Sequence, residues 1–365
     1  MKVLGLQFEN YRNLENGFIK PCEGVNVIYG ENAQGKTNLL EALWLFCGGH
    51  SFRGSKDNEL VAFDKKFAVL KSAFYSFERE QNAEIKIVSG RKEVKINDVP
   101  KKSSSALIEK YNAVVFSPEH LTLIKRGPSL RRNFIDSAIC REKLKNAIII
   151  SKYNKTLNQR NSLLKDIFKH SELKDTLEIW DDALCLLGAS IIFQRIKFLK
   201  QLTEFAGEYH KGISQNSETL EFSYCSNAGI TPEDEEKEIA KKLKKAIINC
   251  RNEDFNTGYT NVGPHRDDID IIINSKKAKV FASQGQQRSA VLSMKLAEAE
   301  ILTKRTGEKP IILLDDVLSE LDNSRQEFLL NKIEDYQVFI TCCEKSNKEQ
   351  LKNGKIFKVE NGKII

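Results

Sequence analysis

The segment Gly30-Glu31-Asn32-Ala33-Gln34-Gly35-Lys36-Thr37 fits the pattern GxxxxGK[ST]. Gly30 and Gly35 let the backbone bend so that successive amides face an anion at the positive end of the helix that follows. Lys36 would sit against the β and γ phosphates of a nucleoside triphosphate. Thr37 offers the first hydroxyl of that helix, placed to ligate a magnesium ion bridging the same phosphates. Almost three hundred residues later, Ile311-Ile-Leu-Leu314 runs into the carboxylates Asp315 and Asp316. The first of these can hold the magnesium shell and the second can orient or deprotonate a water. A third segment, Phe281-Ala-Ser283-Gln-Gly285-Gln-Gln-Arg288, joins a capping serine to a glycine. That combination serves as an anion site or simply finishes a helix.

Each of these groups needs an element to place it. Gly24-Val-Asn-Val-Ile-Tyr29 is a short apolar run suited to a buried strand, and Thr37 to Gly48 carries Leu39, Leu40, Leu43 and Phe46 at helical spacing. Strand, glycine loop and helix are the context the phosphate loop requires. Residues 311–314 read as a second buried strand, and in a parallel sheet its carboxyl end opens beside the phosphate loop. Val291, Leu292, Leu296 and Ala299 share one face of a helix starting near Ser283. Strand-like alternation is predicted over Phe67–Phe77, Ala83–Val88 and Glu93–Ile96, with turns at Ser89-Gly90 and Asn97-Asp98.

The order of these parts, followed by Ser319-Glu-Leu-Asp322, resembles that of ABC-type ATPases across the whole chain. That resemblance implies ATP bound at a dimer interface, with Ser283 and Gly285 touching the γ-phosphate held by a second copy. Asp322 would lie in the loop that crosses the interface. Thr341, after Gln337-Val-Phe-Ile340, would take the place usually held by a switch histidine. The gap between phosphate loop and serine-glycine segment is far longer than in transporter ATPases, which argues against a transporter subunit. Chromosome-structure (SMC) and related repair ATPases open with a strand and a basic residue, as Leu4-Gly-Leu-Gln-Phe-Glu-Asn-Tyr-Arg12-Asn13 does here. In those relatives the basic residue reaches the nucleotide, so Arg12 and Asn13 join residues 30–37 in the expected nucleotide-binding set. No a/d heptad is sustained here as their long coiled coils require.

With its compact arm, the opening Phe-x-x-Tyr-Arg-Asn, and the segments Phe116-Ser-Pro-Glu119, Arg131-Arg-Asn-Phe-Ile-Asp136 and Gly263-Pro-His-Arg-Asp-Asp268, the chain is similar to the RecF family of bacterial recombination-repair ATPases. The resemblance implies an α/β fold: an SMC-like, ABC-type P-loop ATPase head with a mostly helical inserted arm. It also implies ATP and Mg2+ as cofactors, a homodimer formed on ATP, and sequence-independent binding to single-stranded and gapped DNA. A RecR-type mediator would be the partner through which RecA recombinase is loaded, in the cytoplasm and on the nucleoid. Asp316 stands where transporters carry a glutamate base, and a shorter carboxylate reaches less far toward a water. The expectation is weak, DNA-stimulated hydrolysis acting as a timer that drives release. The alternative, a transporter-type or nuclease-associated head, would require a coupling surface or a tether that this sequence does not supply. His265 and Arg266 belong to a family motif, but a histidine is equally able to buttress a turn.

The head is expected from residues 1–124 and 251–365, interrupted by a mostly helical arm over 125–250. Trp180, Leu184, Leu187 and Ile191 recur at helical spacing there, and a later helix is expected to start at Thr231-Pro232. Basic residues are dense from 120 to 170, among them Arg126, Arg131, Arg132, Lys152, Lys155 and Arg160. These are the candidate DNA contacts, since phosphate binding needs only such density. Ordinary lysines on an exposed helix face explain them as well, because acidic residues are interspersed.

The 57 Lys and Arg against 50 Asp and Glu give a formal charge of +7, a modest excess. No apolar run approaches the roughly 18 residues of a membrane span, and Met1-Lys-Val-Leu-Gly lacks a signal-peptide core. Eight cysteines without a C-x-x-C exclude a zinc ribbon and read as small buried hydrophobes in a reducing compartment.

Overall fold

The computed structural model describes residues 1–48, 50–167, 169–343 and 354–365. They form two compact units, Met1–Thr122 with Gly212–Asn216 and Gln284–Ile365, and Leu123–Lys211 with Ser217–Ser283.

The first unit contains two sheets. One is antiparallel, in the order β2-β1-β4-β5-β6-β7, from β1 (Lys2–Glu9), β2 (Gly17–Ile19), β4 (Phe67–Ser76), β5 (Arg79–Val88), β6 (Arg91–Ile96) and β7 (Val99–Lys101). Its hairpins close through Phe77-Glu78, Ser89-Gly90 and Asn97-Asp98, each pair with both φ positive. Such two-residue turns match the twist of the strands they join. The other sheet has the order β15-β14-β3-β13-β12-β8, from β3 (Val25–Tyr29), β8 (Ala113–Phe116), β12 (Ile311–Leu314), β13 (Val338–Cys342), β14 (Lys355–Glu360) and β15 (Lys363–Ile364). Strands β14, β3, β13, β12 and β8 run parallel. Every residue of β8, β12 and β13 is buried, as continuous apolar runs covered on both faces should be.

Helix α1 (Lys36–Leu45) follows β3, and its Leu39, Leu40 and Leu43 share one core with Phe8 and Leu70 of the antiparallel sheet and with Leu313 and Phe339 of the parallel one. Both sheets are therefore fixed relative to the helix that begins at the phosphate loop. Helices α8 (Gln284–Thr306) and α9 (Asn323–Lys332) complete this unit.

The second unit holds α2 (Pro128–Glu142), α3 (Leu144–Ile167), most of α4 (Leu177–Ile213), α5 (Glu236–Asn249), α6 (Arg251–Thr257) and α7 (Ala278–Phe281). Leu184, Ile191, Ile192, Leu199 and Leu202 form the buried face of α4. The unit also contains an antiparallel sheet of β9 (Leu220–Cys225), β10 (Asp268–Ile273) and β11 (Lys276–Lys277). Two expectations are corrected here. The second unit runs to Ser283 rather than ending at 250, because β10 pairs along its whole length with β9 and Asp254 of α6 is held by Arg160 of α3. Helix α5 starts at Glu236 rather than Thr231. The Asp234 carboxylate accepts the Thr231 N–H and the Lys242 ammonium, closing a turn ahead of the helix. Among the described residues no helix is long and apolar enough to cross a membrane.

Candidate nucleotide site

Strand β3 delivers the chain into the phosphate loop with β14 alongside. A Cβ at Gly30 would collide with the Val359 carbonyl, so the close approach of β14 requires glycine there. Gly35 caps α1 at φ +117°, a conformation L side chains rarely adopt. The loop between them is buttressed by side chains. Asn13 Nδ2 donates to the Ala33 carbonyl (3.0 Å) while Asn13 Oδ1 accepts from Asn38 Nδ2 (2.6 Å). Gln34 Oε1 accepts the Asn361 N–H, and the Gln34 carbonyl accepts the Gly362 N–H at 3.2 Å. Asn13 thus shapes the loop, and Asn32 accepts the thiol of Cys343. Lys36 is 5% exposed, its ammonium donating to the Gly30 (2.7 Å) and Glu31 (3.0 Å) carbonyls. The first turn of α1 carries no acidic residue, which leaves the positive end of the helix uncompensated.

The carboxyl ends of three neighbouring strands meet beside Thr37. Thr37 Oγ1 donates to Asp315 Oδ1 at 2.8 Å, and Thr341 Oγ1 lies 3.0 Å from the same oxygen. The Asp316 N–H donates to Thr341 Oγ1 at 2.8 Å. Burial pushes the Asp315 carboxyl above the usual carboxylate range, opposed by hydrogen bonds from Thr37 and Thr341 and reinforced by the charge of Asp316. Thr37 and Asp315 supply hard oxygen donors of the kind magnesium takes, so the residues fit that ion. Asp316 is half-buried at φ +50°, its carbonyl accepting from Ser319 Oγ. Thr341 is 1% exposed, and its hydroxyl is shared between Asp315 and the Asp316 backbone, a placement suited to holding the two carboxylate residues in register.

The expectation for Arg12 changes. Its Nε and Nη2 fork onto Glu41 at 2.9 and 3.0 Å, and Nη1 donates to the Glu59 carbonyl. Fully buried Glu41 also accepts from the Tyr11 and Ser51 hydroxyls. Arg12 is therefore committed to bracing α1 against the antiparallel sheet. Glu41 was not foreseen, although a carboxylate on the apolar face of the Leu39-Leu40-Leu43 helix was its visible signal. Arg53, also unforeseen, is exposed; its Nη1 donates to Asn38 Oδ1 at 2.8 Å, and its charge opposes the upward push on Asp315.

Ser283 is the last residue of the second unit and Gly285 lies in the first turn of α8. Thr37, Asp315 and Thr341 are joined by hydrogen bonds to one another, while Lys36 is held by the Gly30 and Glu31 carbonyls. Three residues beyond Gly285, Arg288 pairs with Glu320 at 2.7 Å, and Arg325 Nε donates to Ser289 Oγ at 2.8 Å. Asp322 caps α9 by accepting the Arg325 N–H. The start of α8 is thereby tied to the segment that follows Asp316.

Two of the candidate DNA contacts are withdrawn. Arg131 is 4% exposed and forks onto Asp268 at 2.8 Å while donating to the Leu123 and Arg126 carbonyls. Arg160 is fully buried between Asp181 (2.6 Å), Asp254 (2.7 Å) and Thr260. Charges so enclosed cannot meet a phosphate. Arg132 is half-buried with Nη1 on the Asp267 carbonyl, whereas Arg126, Lys152 and Lys155 are exposed. His265 Nε2 donates to the Thr260 carbonyl (3.0 Å), which leaves Nδ1 of the neutral ring to accept from Tyr153 Oη (2.7 Å), and burial lowers its pKa to about 4. It buttresses the turn made by Gly263.

The chain matches the family model RecF/RecN/SMC N terminal domain over residues 2–364. It is 40% identical over 368 residues to the DNA replication and repair protein RecF of Ruminiclostridium cellulolyticum, covering 100% of this chain and 99% of that protein. It is 43% identical over 344 residues to the protein of the same name from Caldanaerobacter subterraneus subsp. tengcongensis, covering 93% and 94%. A solved structure described as the recombination mediator protein RecF-ATPrS in the RecFOR pathway matches with a TM-score of 0.93 at 41% identity, over 99% of this chain and 97% of that one. An SMC head domain from Pyrococcus furiosus, bound to the C-terminal domain of ScpA, matches at 16% identity and a TM-score of 0.56 over 100% and 96% of the two chains, a likeness of fold alone.

Proposed function

Because this chain belongs to the RecF family and carries its ABC-type ATPase head, we propose that it is an ATP-dependent DNA clamp of recombinational repair and replication. ATP binds at residues 30–37, where the loop amides and the end of α1 receive the phosphates and Lys36 exchanges its loop carbonyls for the β and γ oxygens. Thr37 and Asp315 hold Mg2+, which neutralises charge on the phosphates. Asp316 orients the attacking water, and Thr341 keeps both carboxylates in register. A second copy contributes Ser283 and Gly285 to the γ-phosphate, so that ATP closes two heads together and hydrolysis parts them.

Arg126, Lys152 and Lys155 supply sequence-independent phosphate contacts on DNA. The closed dimer holds DNA at single-strand gaps and assists RecA loading through a RecR-type mediator, in the cytoplasm and on the nucleoid. Hydrolysis is slow and stimulated by DNA. The observation that carries this reading is the meeting of Thr37, Asp315, Asp316 and Thr341 beside the glycine loop.

Mass in solution, with and without ATP and gapped DNA, tests it on wild type, Lys36→Met and Ser283→Arg. A nucleotide-dependent dimer that binds DNA and is lost in both variants is expected. A monomer indifferent to ATP, or a Ser283→Arg protein that dimerises normally, overturns the shared site.

A further inference from the structure

Cys342 ends β13 and Cys343 follows it, and neither has a part in the chemistry above. The register of β13 on β3 sets Cys342 opposite Tyr29, which brings the next residue alongside Gly30 at the mouth of the phosphate loop. Cys342 is buried, but Cys343 is exposed. Its thiol does not stand alone. Sγ lies 3.5 Å from Lys36 Nζ, a side chain otherwise enclosed by the loop carbonyls, and donates to Asn32 Oδ1 at 3.0 Å. The sulfur is therefore solvent-accessible, held by two residues of the phosphate loop, and in contact with the one ammonium that a nucleotide must reach. A group attached to it would fill the space in front of Lys36 Nζ where a phosphate has to lie.

We propose that Cys343 is a thiol modification site that closes the nucleotide site when it forms a mixed disulfide with a low-molecular-weight disulfide. The step is thiol–disulfide exchange. The Cys343 sulfur attacks one sulfur of the small disulfide, a new S–S bond forms as the old one breaks, and the displaced thiolate takes up the proton that Cys343 gives up. Cys343 is oxidised and half of the small disulfide is reduced, so a thiol reductant reverses the change. Conversely, phosphates bound at Lys36 cover the sulfur and shield it. The inference rests on the reading of residues 30–37 as an ATP site.

The test treats full-length wild type and Cys343→Ser with glutathione disulfide, maps the modified cysteines by peptide mass, and measures ATP affinity before and after with a fluorescent ATP analogue. Half-buried Cys22, Cys140, Cys225 and Cys250 serve as internal references for labelling. Modified wild type should bind at least about tenfold more weakly, recover with dithiothreitol, and lose its labelling at Cys343 selectively when ATP is present. The Cys343→Ser protein should bind ATP equally before and after treatment. Full affinity with Cys343 modified, or an equal loss in Cys343→Ser, overturns the proposal. A reduced wild type that does not bind ATP overturns the reading of the site itself, and this inference with it.

Discussion

Replacing Thr341 by valine keeps the shape of a side chain that is 1% exposed and removes its hydroxyl. The contact to Asp315 Oδ1 at 3.0 Å and the acceptor for the Asp316 N–H at 2.8 Å go with it, as does a longer contact to the Leu314 carbonyl at 3.4 Å. Hydrogen bonds to charged groups contribute about 1.5–3 kcal/mol, and an unpaired buried N–H costs about 1–3 kcal/mol. Because valine packs its new methyl in the same space, the net loss of stability should be about 2–4 kcal/mol. Asp315 would keep only the Thr37 bond and Asp316 would lose the anchor that fixes its backbone. If even about 1.4 kcal/mol of that loss falls on the reacting geometry, hydrolysis slows about tenfold. Chemical denaturation gives the stability, and phosphate release with saturating ATP and Mg2+ gives the rate. Thr341→Ser restores the hydroxyl and should recover most of the rate despite the missing methyl. If Thr341→Val hydrolyses ATP at the wild-type rate, or Thr341→Ser is as slow as valine, then the hydroxyl does not position the carboxylates.

His265 is held neutral by burial, with a pKa of about 4 against an ordinary 6.5. The unfolded chain therefore binds the extra proton first, and stability falls as pH drops from about 6.5 towards about 4, by up to about 3 kcal/mol. Urea midpoints over that window should fall less steeply in His265→Gln than in wild type, and equal slopes would count against this origin. Arg160→Met leaves Asp254 buried without its ion-pair partner and Asp181 with Arg251 alone, and should cost about 3–5 kcal/mol in denaturation. Lys152→Ala and Lys155→Ala should leave stability unchanged and each lower the salt slope of DNA binding by about 1. A fully stable Arg160→Met that alone loses DNA would reverse the two assignments.

The phosphate loop was legible because its conformation is written in consecutive residues. Gly30 and Gly35 stand where close backbone approach and positive φ demand them, and the flanking strand and helix announce themselves by pattern. Asp315 could be placed beside it because a parallel strand presents its carboxyl end to the same edge as β3. Arg131 and Arg160 were misread for the opposite reason. Their partners Asp268 and Asp254 lie far along the chain, and local basic density says nothing about which charges a fold will enclose. The extent of the second unit was hidden likewise, since the pairing of β9 with β10 joins segments separated by two helices. What Thr341 touches follows from strand order rather than from local sequence. Only with β13 lying between β3 and β12 can one hydroxyl touch both carboxylate residues.

The same strand order bears on how the carboxylates could respond to events elsewhere in the head. Asp316 is fixed at its N–H by Thr341 and at its carbonyl by Ser319, in a left-handed conformation that costs a non-glycine residue about 1 kcal/mol or more. Its freedom to move lies in the segment that follows, and that segment is bonded through Glu320 to Arg288 at the start of α8. Arg325, next to the Asp322 cap, reaches Ser289 on the same helix. A displacement of the first turns of α8, where Gly285 sits, therefore cannot leave the Asp316 segment where it was without breaking an ion pair and a hydrogen bond. A short carboxylate pinned in this way has little reach of its own, so the rate at which it meets a water would be governed by α8. That dependence would give the proposed timer its physical content.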